Sequence, residues 1–81
     1  MLADEIRSFV FQRYIRPARE KGLHAVTVSA GEIHQEMGLN NRIPAVCGAL
    51  KTRKLEVCLS VRLIKREGPH QGAGAKYTYT V

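Results

Sequence analysis

Eighty-one residues, 44% of them hydrophobic and 25% charged, make one small globular domain over residues 1–81 and leave no room for a second. Thirteen Lys and Arg against seven Asp and Glu give a formal net charge of +6, the mark of a polyanion-binding face or of a solubilising surface with no partner. No apolar run reaches transmembrane length, and Met1-Leu2-Ala3-Asp4-Glu5 has the wrong charge for a secretory leader, so a membrane role is excluded and a cytoplasmic address is expected.

Residues 3–21 predict the first helix. Asp4 and Glu5 suit the positive end of its dipole, and Arg19 and Lys21 the negative end. Leu2, Ile6, Phe9, Val10 and Tyr14 share a face, which Phe11 and Ile15 widen. That face is broader than one core contact needs. Either the domain wraps the helix on two sides, or the surplus face makes a homodimer contact. Pro17 cannot donate to the Arg13 carbonyl, so a kink or break is expected near Arg16, with Gly22 ending the helix. His24 to Val28 predict a short strand with Val26 and Val28 on one side.

Residues 29–53 read as helix, tight turn, helix. Ser29 and Glu32 have capping-box spacing, and Val28 and Ile33 that of a hydrophobic staple. Ala30, Ile33 and Met37 share a face, and Gly38 stops the helix. Asn40 or Asn41 is expected to cap the next helix, with Pro44 in its first turn. Ile43, Val46, Cys47 and Leu50 form its apolar stripe. Opposite lie Asn41, Ala45, Gly48 and Thr52, a small and weakly polar face flanked by Arg42 and Lys51. Cys47 and Cys58 read as reduced, buried thiols, with a Cys47–Cys58 disulfide as the alternative.

Residues 53–59 either prolong this helix or form a separate turn, with Leu55, Cys58 and Leu59 spaced for burial. Ser60 to Glu67 predict a strand with Val61 and Leu63 on one face and Arg62, Ile64 and Arg66 on the other. Residues 68–75, with three glycines and a proline, predict a loop. Lys76 to Val81 alternate cleanly, Tyr77, Tyr79 and Val81 against Lys76, Thr78 and Thr80, and close a hairpin. Charge is divided along the chain: residues 1–40 sum to zero, and residues 41–81 carry the whole +6. A charge excess confined to the helix–turn–helix and the hairpin is the expected footprint of a polyanion-binding face.

Enzyme signatures fail in turn. Gly72-Ala73-Gly74 lacks the length and the Lys-Ser/Thr ending of a phosphate loop, and neither Gly-x-Ser-x-Gly nor His-Glu-x-x-His occurs. His24, His34 and His70 with the two cysteines lack zinc spacing. Glu32 is committed to the cap, which leaves Glu36 without a partner for acid–base work, and His34 reads as a surface residue. No enzyme, cofactor or metal is expected.

The order helix, strand, helix, turn, helix, strand, loop, strand resembles a winged-helix domain of the helix-turn-helix superfamily. The resemblance runs from Asp4 to Val81 and is carried most specifically by residues 28–34, 38–50 and 67–79. The same phrases are similar to small prokaryotic winged-helix modules that occur alone or attached to restriction-type enzymes. The resemblance implies an α+β fold of three helices with a small antiparallel sheet, in the order α-β-α-α-β-β. It implies a double-stranded DNA-binding protein, a small transcriptional regulator or DNA-binding accessory. A recognition helix at about residues 41–53 would lie in the major groove and a wing at about 66–76 on the backbone. Carried onto this chain, base-edge residues would be Asn41, Ala45, Gly48 and Thr52. Phosphate contacts would come from Ser29, Asn40, Arg42, Lys51, Arg53, Lys54, Arg66 and Lys76, and wing-tip contacts from His70 and Gln71. Few long polar side chains face outward on that helix, which favours readout of shape and backbone over tight sequence specificity. Two other readings stay open: a protein–protein interaction adaptor, and an RNA-binding module.

Overall fold

A computed structural model describes residues 2–81. Its first helix is not α throughout. An α segment, Leu2–Val10, passes into a π turn, Phe11–Ile15, and back to an α segment, Arg16–Glu20; the three together are α1. The Arg16 amide donates to the Phe11 carbonyl, one residue further back than in an α-helix. Two features of the sequence account for the turn. Pro17 has no amide for the Arg13 carbonyl, and its ring crowds that carbonyl. The buried residues Ile6, Val10, Ile15 and Ala18 also leave a step of five between Val10 and Ile15, which one wider turn brings onto one face. The expected kink or break at Arg16 is therefore absorbed, and the helix runs on. The broad apolar face is a single stripe in two registers. Leu2, Phe9, Phe11 and Tyr14 pack half-buried beside it, Phe9 and Tyr14 meeting edge to face with centroids 6.4 Å apart.

Strand β1 (Ala25–Ser29) feeds directly into α2 (Ala30–Glu36). Ser29 Oγ accepts from the Glu32 amide at 3.5 Å, and the staple residues Val28 and Ile33 are both buried. Gly38, at φ 69°, takes the left-handed conformation that ends the helix. Then come α3 (Ile43–Leu50), α4 (Arg53–Leu59), β2 (Arg62–Glu67) and β3 (Lys76–Thr80). The sheet is antiparallel in the order β1-β3-β2. It packs Tyr77 and Tyr79 against a core that includes Ile6, Val10, Ile33, Val46 and Leu50.

The third helix is shorter than expected, and it is followed by a fourth. Thr52, in extended backbone, accepts from the Leu55 amide at 3.4 Å and so caps α4 as a separate helix. The order is therefore α-β-α-α-α-β-β. Neither Asn40 nor Asn41 caps α3. Asn41 is left-handed at φ 53°, and Arg42 stands at the cap position without a side-chain bond. The Arg42 amide donates instead to His34 Nε2 at 3.1 Å, which makes His34 a half-buried tie between α2 and α3.

Cys58 is exposed, and both thiols are free. The seven-residue α4 buries the narrow stripe Leu55–Leu59 and turns Val57 and Cys58 outward. In β2, Leu63 lies opposite Tyr79 and Lys65 opposite Thr78, so Ile64 is an inserted bulge residue. The bulge reverses the alternation after it, and Arg66 faces the Tyr77 side of the sheet rather than the side opposite Leu63. Among the described residues no helix is long and apolar enough to cross a membrane.

Candidate nucleic-acid interface

The cations of the two halves of the chain are used differently. In the first half, Arg7 pairs with Asp4, Arg13 with Glu36 at 3.3 Å and Arg16 with Glu20 at 3.7 Å. Arg19 donates to the carbonyls of Leu59 and Ser60 at 2.9 and 2.8 Å, closing the C-terminal end of α4. In the second half only Lys65 is paired, with Glu67 at 3.8 Å. Among the described residues, Arg42, Lys51, Arg53, Lys54, Arg62, Arg66 and Lys76 meet no carboxylate within ion-pair distance. Glu56, the other acid of this half, accepts from the Leu63 amide at 2.9 Å. The fold thus engages the four arginines of the first half, leaving Lys21 exposed and unpaired, and leaves seven cations of the second half without a carboxylate.

Lys51, Arg53, Arg66 and His70 are brought together. Lys51, at the end of α3, lines one hollow with Arg53, Glu56, Val57, Val61 and Arg62, and a second with Leu63, Ile64, Lys65 and Arg66. Arg66 and His70 line a third with Gly68, Pro69 and Tyr77. Lys51 Nζ also contacts His70 Nε2, which joins the helix to the hairpin loop. Asn40, Asn41 and Arg42 stand exposed at the other end of α3, roughly 12 Å away at 1.5 Å per residue. Ala45 is exposed and Gly48 half-exposed between them, and Lys54 and Gln71 are exposed outside the three hollows. Lys76 lies on β3 opposite Ser29 and Glu67, outside them too.

Two expected contact residues are committed elsewhere. The amides of Ala30 and Gly31 donate to the carbonyls of Ala75 and Ala73, both at 3.0 Å. The first turn of α2 is therefore closed by the hairpin loop rather than open to a phosphate beside Ser29. Thr52 is half-buried; besides capping α4 it donates to the Ala49 carbonyl at 3.0 Å, so it faces the backbone and not a base edge. Arg62 and Lys65, not among the expected contacts, also line the hollows. Their signal was the charge asymmetry, not the strand pattern.

The hairpin loop does not project freely. Besides the two α2 contacts, the Cys47 thiol donates to the Gly72 carbonyl at 3.8 Å. A Cβ on Gly31 would lie 2.7 Å from the Ala73 oxygen, so glycine is what lets the loop close on α2. Tyr77 is buried, and burial first, then the Cys47 thiol, pushes its hydroxyl up to about 12. Tyr79 is fully buried and donates to the Leu50 carbonyl, the last of α3. These rings are core, not stacking platforms. Among the described residues no three His, Cys, Asp or Glu side chains gather as metal ligands would.

The geometry defines a small α+β domain with a three-stranded antiparallel sheet. No protein-family model, curated protein or solved structure matches the chain.

Proposed function

We propose that this protein is a non-enzymatic double-stranded DNA-binding domain of winged-helix type. It sets the outer side of α3 towards the major groove and the β2–β3 hairpin against the backbone. The observation that carries this reading is the segregation of charge: seven cations without carboxylate partners in residues 41–81, against a first half whose arginines are all engaged within the fold. The order of elements supports it, with α4 as a departure that holds the recognition helix to eight residues. Small outward residues on α3, Ala45 and Gly48, suit close approach to a backbone and readout of shape. A small transcriptional regulator or DNA-binding accessory is the role that follows.

The test is a duplex titration at several salt concentrations. Binding through phosphates makes log K fall linearly with log salt, by roughly 0.9 per phosphate neutralised. A slope of several units is expected; a flat response, or no binding at low salt, removes the reading. A protein-interaction adaptor is the second reading, favoured by the outward Val57, 70% exposed, and Ile64, 53% exposed. A tight protein partner covering residues 41–54, with no duplex affinity, would establish it instead.

A further inference from the structure

We infer that one phosphodiester strand of the bound duplex runs along the free edge of β2, from the hairpin loop past Lys51 to Arg62 and Arg53 at the base of the hairpin. This rests on the duplex-binding reading and extends it from the expected Lys51, Arg53, Arg66 and His70 to Arg62 and the strand edge between them. The three hollows form one trough, because Lys51 lines two of them and Arg66 lines two. One wall is β2, whose other side is taken by β3; the opposite wall is the junction of α3 with α4. Along the trough stand Arg53, Lys51, Arg62, Arg66 and His70. Its only carboxylates are already committed, Glu56 to the Leu63 amide and Glu67 to Lys65. The first two hollows measure about 560 and 390 Å³ and open to water. Long cationic stems over an open trough match a repeated monoanion on a flexible backbone.

Arg62 lies opposite Thr80 and Arg66 opposite Tyr77, so the Ile64 bulge sets the two guanidiniums on opposite faces of β2, and what joins their hollows is Lys51 beside the edge of the strand.

The test compares Arg62→Ala, Arg66→Ala and Lys21→Ala by fluorescence anisotropy on a labelled duplex of random sequence, over a salt series. Each variant removes one charge. Lys21 is exposed, has no ion-pair partner and lies outside the trough. Arg62→Ala and Arg66→Ala are each expected to lower the salt slope by about 0.9, the loss of one phosphate contact, while Lys21→Ala leaves it unchanged. Superimposable thermal melts confirm that Arg62→Ala folds. If Arg62→Ala behaves like Lys21→Ala while Arg66→Ala loses slope, the path along β2 is overturned and the duplex reading stands. Equal losses in all three variants, or displacement of the duplex by polyglutamate at matched charge, would reduce the trough to bulk positive charge and overturn it. A wild-type protein with no duplex affinity removes both.

Discussion

Lys51 Nζ lies 3.1 Å from His70 Nε2, so the end of α3 and the hairpin loop are joined side chain to side chain. An ammonium only donates, so in this contact Nε2 is the acceptor. His70→Ala should free the loop without unfolding the domain, since exposed substitutions usually change stability by about 0.5 kcal/mol or less. Amide exchange in residues 68–75 is expected to quicken while exchange in α1 holds, and duplex affinity should fall. Unchanged loop exchange would show that the contact does not hold the loop.

Tyr79→Phe tests the joint between sheet and helix. The Tyr79 hydroxyl is the donor to the Leu50 carbonyl in the core. Removing it leaves a buried acceptor unmet, a cost of about 1–3 kcal/mol. For a domain of this size each kcal/mol lowers Tm by roughly 4–8 °C, so a melt should detect the change easily. A shift near zero would mean that water reaches Leu50.

Alkali should find the tyrosines resistant. Tyr14 is pushed up to about 12, by burial first and then by its hydrogen bond to Glu36 at 2.5 Å. Tyr77 reaches about 12 as well, and Tyr79 is raised further, mainly by burial. A raised folded value adds stability that is complete below the unfolded value, about 10 for tyrosine, and is lost as pH climbs through the folded one. Absorbance of tyrosinate should thus stay low past pH 10 and rise together with loss of far-UV signal. In urea the same chain should titrate near its ordinary value. Glu36 works the other way. The Tyr14 hydrogen bond holds its carboxyl below the usual range, so its contribution is present above that range and disappears only on acidification beneath it.

Two glycines should respond oppositely to alanine. At Gly31 the new Cβ meets the Ala73 oxygen at 2.7 Å, and Gly31→Ala should destabilise by about 1–3 kcal/mol as loop and helix are forced apart. At Gly48 nothing stands within 4 Å of the added carbon, and Gly48→Ala should stabilise α3 by about 0.5–1 kcal/mol. Paired thermal melts decide. A destabilised Gly48→Ala would reveal a close neighbour at that position.

Much of this architecture can be read from local chemistry. The Ser29 cap, the Val28–Ile33 staple, the Gly38 stop and the Tyr77–Tyr79 alternation each act through neighbours a few residues away. What escaped local reading depends on distant partners. Pro17 announces trouble in the helix, but only packing decides between a break and a π turn. Thr52 looks like an outward residue until its backbone turns extended and it caps α4. The Ile64 bulge moves Arg66 to the other face of the sheet and cannot be read from alternation, which it interrupts. At the candidate site, Lys51, Arg53, Arg66 and His70 were legible and gather as a group, whereas Ser29 and Thr52 were drawn away by caps.

Glu56 has a wider effect than its single hydrogen bond suggests. By occupying the Leu63 amide it stoppers an outer rung of the ladder that would otherwise invite a fourth strand from a neighbouring molecule. Such recruitment is how small sheets begin to aggregate. The bond therefore takes up one of the free donors through which another polypeptide could add to that margin of the sheet.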